Sequence, residues 1–137
     1  MSEEMEKTFS FRDLEIWQLA MDLAVDIYHA TLNFPSEERF GLTSQIRRSA
    51  VSLASNIAEG WGRGTQANLA NYIRIARGSL CELETQMELA NRLGFMPDDV
   101  YRRLQVQADM LGRKSYAFLA KVEDNKVREN LAKYVTD

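Results

Sequence analysis

The sequence predicts an all-α chain folded as an antiparallel up-down-up-down four-helix bundle, and three observations predict it. Four stretches repeat apolar residues at three- and four-residue spacing, short breaks carrying glycine or proline separate them, and no stretch reads as a strand. Short connections force neighbouring helices to run in opposite directions. A longer coiled coil is the competing fold, and the Gly and Pro breaks argue against it. With 137 residues the chain is long enough for one domain with its own core. Residues 1–10 read as a flexible acidic arm, 11–122 as the bundle, and 123–137 as a weakly helical C-terminal tail.

The first helix is expected from Phe11 or Arg12 to about Asn33. Leu14, Trp17, Met21, Ala24 and Tyr28 fall on one face, and Ile16, Ala20, Leu23 and Ile27 form a second apolar row. Only a narrow polar strip remains between them, so this helix has more apolar surface than one bundle core absorbs. Part of it is therefore expected to face another subunit. Pro35 disfavours helical geometry at Phe34 and ends the helix, Pro35-Ser36-Glu37-Glu38 suits a brief turn, and Phe34 and Phe40 are expected to tuck against the bundle end.

The second helix spans roughly Leu42 to Glu59, with Thr43 or Ser44 as the cap and Ile46, Ala50, Leu53 and Ile57 as its seam. Ala50, Ala54 and Ala58 make a row of small residues that lets a neighbour come close. Gly60 stands where a left-handed terminating residue is expected. The third helix runs from about Thr65 to Leu93, with Leu69, Ile73, Ala76, Leu80, Leu83, Met87 and Ala90 at strict four-three spacing. Gly78 lies inside it, and close packing on a neighbour would explain its cost of about 1 kcal/mol against alanine. Gly94-Phe95-Met96-Pro97 ends that helix. Asp98 and Asp99 open the fourth, where their charge complements the helix N-terminus, and Leu104, Ala108, Leu111, Ser115, Phe118 and Val122 form its core row. Val127, Leu131 and Tyr134 suggest a short further helical segment.

Composition narrows the function. No run of about 18 apolar residues occurs and the first residues are acidic, which excludes a membrane helix and disfavours a signal peptide. A lone cysteine, Cys81, forbids an internal disulfide and suits the cytoplasm. The formal net charge of −3 argues against a generic nucleic-acid binder, yet it is unevenly spread: residues 1–38 hold nine acids and two bases, and residues 39–137 hold fifteen bases and eleven acids. That asymmetry marks either a basic face or an acidic first helix paired with basic neighbours.

No constellation for catalysis survives inspection. Asp26-x-x-His29 is half of a helix-borne metal motif, but a di-iron bundle needs it twice and His29 is the only histidine. Cys81 has no CxxC partner and reads as a small packing residue. Ser49, Ser52 and Ser55 have no local base. Gly60-x-Gly62-x-Gly64 follows a helix rather than a strand and lacks the Gly-Lys-Ser/Thr of a phosphate loop, so a helix-helix turn explains it better. Trp61 reads as a plug between helices rather than a base-stacking platform. No enzyme, metal or cofactor is expected.

Two groups of charged residues remain. Arg63, Arg74 and Arg77 form a possible phosphate-contacting surface. Arg47, Arg48, Asn56, Glu59, Glu82 and Glu84 read as a polar network fixing helix register, with Arg48 and Glu82 as an ion pair and Ser52 or Asn56 reaching Asn71 or Arg74. On the fourth helix and tail, Arg102, Arg103, Arg113, Lys114, Lys121, Lys126, Arg128 and Lys133 either follow a nucleic-acid backbone or form a solvated face.

Long ordered motifs resemble a known family. Phe11-x-x-Leu14-x-x-Trp17-x-x-Ala20 and Phe34-Pro35-x-x-Glu38-x-Phe40-Gly41-Leu42-Thr43-x-Gln45-x-Arg47-Arg48 resemble the four-helix bundle family named for 23S rRNA intervening-sequence proteins. So do Asn56-Ile57-Ala58-Glu59-Gly60-x-Gly62-Arg63 and Ala76-Arg77-Gly78-Ser79-Leu80-x-Glu82-Leu83-Glu84. The likeness covers about residues 11–120. Leu53-Ala54 departs from it, since Ile or Val followed by Pro is expected there, which leaves the second helix less kinked. The resemblance implies a ring-like homo-oligomer, a pentamer by analogy with the accessory protein of diversity-generating retroelements, which binds nucleic acid and a reverse transcriptase. It implies no enzymatic activity. The expected function is a non-enzymatic oligomeric bundle binding structured RNA, such as rRNA, or an RNA–protein assembly; the alternative is a protein–protein scaffold without nucleic-acid contact.

Overall fold

The structure is a computed structural model. It describes residues 9–124, 134 and 135. They form four helices, α1 (Glu15–Ala30), α2 (Leu42–Gly62), α3 (Gln66–Arg92) and α4 (Asp98–Glu123), with 3-10 turns at Phe11–Asp13 and Ser36–Glu38. No strand occurs among the described residues, where an isolated bridge joins Leu14 to Val135.

The first helix begins later and ends earlier than expected. Ser10 and Asp13 cap each other's backbone around the first 3-10 turn, and the extended Leu14 resets the chain before Glu15. At the other end the Thr31 hydroxyl donates to the Ile27 carbonyl at 2.9 Å, competing with a further helical turn, and α1 stops at Ala30. Of its two apolar rows, Ile16, Ala20, Leu23 and Ile27 are all buried. The other row divides: Leu14 and Ala24 are buried, whereas Met21 and Tyr28 are exposed, together with Val25 and Leu32.

Phe34 packs beneath the connection, its ring 5.9 Å from that of Phe95. Phe40 does not tuck in. The Ser36–Glu38 turn swings the chain outward, and Phe40 is 88% exposed.

Neither Thr43 nor Ser44 caps α2; Gly41 takes that position and no side chain bonds the free N–H groups of the first turn. The helix runs through Gly60 to Gly62, and the left-handed residue is Gly64, with φ +81°. Gly60 serves another purpose, since a Cβ there would lie 2.6 Å from Cβ of Tyr72. The seam of Ile46, Ala50, Leu53 and Ile57 is buried.

Thr65 caps α3 by accepting from the Asn68 N–H at 3.1 Å. All seven residues of the four-three row, Leu69 to Ala90, are buried. Gly78, in contrast, has nothing within 4 Å of the position its Cβ would take, so the close packing expected of it is not present among the described residues. Gly94, at φ +80°, and the Phe95 N–H bonding the Ala90 carbonyl at 2.9 Å close the helix.

In α4 the core row from Leu104 to Val122 is buried, Asp98 and Asp99 lie in the first turn, and Asp124 terminates the helix. Tyr134 stands edge-on to Phe118 at 5.2 Å, and burial pushes its hydroxyl above the ordinary tyrosine range. Most of the expected arm and tail, including Lys126, Val127, Arg128, Leu131 and Lys133, lies outside the described residues.

Between α2 and α3 the cross-helix bonds run from Ser52 to Ser79 (2.9 Å) and from Tyr72 to Glu59 (3.4 Å). The expected bonds from Ser52 or Asn56 to Asn71 or Arg74 are replaced, because α2 lasts to Gly62 and the turn is centred later. Asn56 instead donates to the Ser52 carbonyl and hydroxyl on its own helix.

Candidate nucleic-acid interface

The three arginines marked as a phosphate-contacting surface each have a protein partner. Arg63 bonds Glu59 at 2.9 Å and lies over the Tyr72 ring at 5.3 Å. That bond holds the Glu59 carboxyl below and the Arg63 guanidinium above their ordinary ranges. Arg74 bonds Glu123 at 2.8 Å. Arg77 donates to the Gly112 carbonyl and the Ser115 hydroxyl, both at 2.7 Å, with Tyr116 beneath it at 5.4 Å. Arg63 therefore serves the α2–α3 turn, whereas Arg74 and Arg77 tie α3 to α4. On α4, Lys114 pairs with Glu15, and Arg113 and Lys121 are exposed.

The network residues are also separated. Glu84 accepts from Gln105 at 2.7 Å and so joins α3 to α4. Arg47 ties α1 to α2: its Nε donates to Thr31 Oγ1 at 2.8 Å, and its guanidinium lies 4.6 Å from the Tyr28 ring centroid. This places a fixed positive charge at the C-terminal end of α1, where the helix dipole favours it. Arg48 and Glu82 line one polar groove with Ser52 and Ser79, but they form no ion pair among the described residues. Cys81 is exposed rather than packed. Trp61 is partly buried against the core, its ring 5.0 Å from Phe9, as a plug would be. Asp26 accepts from Gln107 at 2.8 Å, and His29 is exposed.

A different group comes together in space. Arg39, Phe40, Thr43, Ser44, Arg47 and Arg48, with Tyr28, line a surface groove of about 610 Å³ where the connection meets α1 and α2. Three arginines face it, and no carboxylate is among its lining residues. The Arg39 guanidinium lies 5.4 Å from the Phe40 centroid. Residue periodicity missed this group because Phe40 reads as a core residue, and Arg47 and Arg48 read as members of a polar network between the second and third helices. The visible signal was an adjacent Arg and Phe in a short connection rather than in a helix.

Next to this groove lies an apolar one of about 320 Å³, lined by Met21, Val25, Tyr28 and His29 of α1 and Val51 and Ser55 of α2. On the other side of α1, Leu19 and Val25 face Val106 and Met110 across a further groove. No helix among the described residues is long and apolar enough to cross a membrane.

A family model described as 23S rRNA-intervening sequence protein matches residues 12–117. Among solved structures, a protein of unknown function from the S23 ribosomal protein family of Bacteroides thetaiotaomicron superposes with a TM-score of 0.71. It is 22% identical and covers 77% of this chain and 95% of its own, a likeness of fold. No curated protein matches the sequence.

Proposed function

Since the chain belongs to the 23S rRNA-intervening sequence protein family, we propose that it is a non-enzymatic bundle that assembles with copies of itself and binds structured RNA or an RNA–protein assembly. The observation that carries this reading is the groove with Arg39, Arg47 and Arg48, lined by no carboxylate on a chain of net charge −3. A concentrated patch of guanidinium groups on an acidic protein attracts phosphates locally and leaves the rest of the surface repulsive. Arg113 and Lys121 on α4 extend the reading to a second, weaker basic strip. The cross-helix pairs support an antiparallel up-down-up-down arrangement, because residue numbers rise on one helix as they fall on the next. The exposed apolar row of α1 supports self-association, for which the family resemblance suggests a ring of five copies in the cytoplasm. A reverse transcriptase is a further partner by the same analogy.

The test is retention of structured RNA, such as rRNA fragments, across a salt series. Binding dominated by phosphates weakens steeply, with a log–log slope that grows with the number of phosphates contacted. Absence of retention at low salt overturns the reading.

The protein–protein scaffold is favoured by one specific observation, the internal partners of Arg63, Arg74 and Arg77. Charge reversal of Arg74 and Arg77 separates the two. Assemblies that come apart or unfold support a structural role for that pair, and intact assemblies that lose RNA return it to the binding surface.

A further inference from the structure

We infer that the groove between the 34–41 connection and the start of α2 is built to hold an unpaired nucleotide, its base stacked on Phe40 and its phosphate between Arg39, Arg48 and the α2 N-terminus. The inference rests on the RNA-binding reading above and names the form of RNA that the site takes.

Three independent features meet there. The first is Phe40. A phenylalanine 88% exposed loses the benefit of burial, and this one stands on a connection with the Arg39 guanidinium over it. A projecting ring flanked by a cation is a stacking platform for a base, because every base presents a π face and the adjacent charge meets the phosphate. The second is the pair Arg47 and Arg48 on α2, which line the same groove with no carboxylate in its lining. The third is the start of α2, whose first-turn N–H groups have no side-chain cap and whose first turn has no acid. That end carries the positive pole of a helix of 21 residues.

The groove residues divide the work. Arg47 is fixed by Thr31 and Tyr28 and supplies a standing positive field. Arg48 is exposed and has no bonded partner among the described residues; it lines this groove with Ser44, and the neighbouring polar groove with Glu82, and is the free phosphate contact. Glu38 is the counterweight: its Oε2 lies 3.0 Å from the position a Cβ on Gly41 would take, beside the same helix end. Its charge opposes an incoming phosphate there.

A single ring on a connection reaches only bases that are out of the helical stack, because the faces of paired bases in an A-form duplex are covered by their neighbours. Loops, bulges and single strands are therefore the substrate class, not continuous duplex.

The experiment compares a short fluorescent single-stranded RNA with the duplex of the same sequence, by anisotropy on the full chain. The single strand is expected to bind more tightly. Phe40→Ala is expected to lose about 5- to 100-fold of that affinity, while Phe40→Trp retains it. Arg48→Gln is expected to weaken binding and flatten the salt slope, and Glu38→Gln to tighten it. Phe40 is exposed, so these replacements leave the fold intact, which circular dichroism verifies. If the wild-type chain binds neither RNA at low salt, the RNA-binding reading itself fails and this inference with it. If it binds duplex and single strand alike, or Phe40→Ala is neutral, the stacking site is wrong while RNA binding stands. If Phe40→Ala lowers the mass of the assembly in solution, Phe40 is a contact between copies and the inference is overturned.

Discussion

On the α2–α3 side of the bundle, periodic seam residues and buried residues coincide: Ile46, Ala50, Leu53 and Ile57 on α2 and Leu69, Ile73, Ala76 and Leu80 on α3 are all buried. On α1 the two sets part, since one apolar row is buried and much of the other, with Met21, Val25 and Tyr28, faces outward. The difference is one of partners. Helices α2 and α3 face each other along most of their length and come close enough for Gly60 to abut Tyr72. The first helix is shorter, reaches α2 and α4 with only one flank, and is left with apolar surface that the described residues do not cover. Spacing identifies which residues can share a face; only the number of neighbours decides how many faces are used.

The sharpest way to break this comparison is to cut into each side. Leu83→Ala, at a fully buried position of α3, is expected to cost about 2–5 kcal/mol in chemical denaturation. Met21→Ala, on the outward row of α1, is expected to stay within about 0.5 kcal/mol for the monomeric chain. Equal losses at both positions would show that the outward row is covered within the chain after all.

The two helical glycines sharpen it further, because they are predicted to respond with opposite sign. Gly60→Ala places a methyl 2.6 Å from Tyr72 Cβ, a backbone-anchored atom that cannot swing away. The overpacking costs about 1–3 kcal/mol, and a 2.6 Å contact on an anchored atom lies toward the upper part of that range, so against a gain of about 1 kcal/mol in helix propensity the net is a loss of up to about 2 kcal/mol. Gly78→Ala meets open space and keeps only the propensity gain, so thermal unfolding of the monomer should move up, equivalent to about 1 kcal/mol. Stabilisation of the monomer joined to loss of assembly would identify Gly78 as a contact between copies, which is where the close packing expected of it would then be found.

These particulars show how far the sequence carries. The four helices, the core rows of α3 and α4, the start of α3 near Thr65 and the Gly94 stop were legible because each depends on local chemistry or on one dominant period. The left-handed role expected of Gly60 belongs to Gly64, since a close approach and a left-handed turn both select glycine and only the position of Tyr72 separates them. Arg77 was legible as important and illegible as a structural tie, because its acceptors are the carbonyl of Gly112 and the hydroxyl of Ser115, 35 and 38 residues away. The groove at Arg39 and Phe40 was hidden for a different reason. An aromatic residue between two helices looks like core, and nothing in a linear pattern says that a 3-10 turn will point it at solvent.

The smallest expected change in stability gives the most direct reading of the α1 face. Val25 is 50% exposed and lies between the two grooves that flank α1, one shared with Val51 and the other with Val106 and Met110. Val25→Glu removes a half-covered isopropyl group and adds a carboxylate beside Asp22 and Asp26, whose like charge adds only weakly in water. The folded monomer should therefore differ from wild type by about 0.5 kcal/mol or less. A second copy packed on that face would have to desolvate the carboxylate with no lysine or arginine among these groove residues to pair it, a far larger penalty. Sedimentation at matched concentrations separates the cases. A wild-type assembly that Val25→Glu reduces to monomers with unchanged unfolding assigns the outward row of α1 to self-association. An unchanged mass shows that copies meet elsewhere and that this row is simply apolar surface left to solvent.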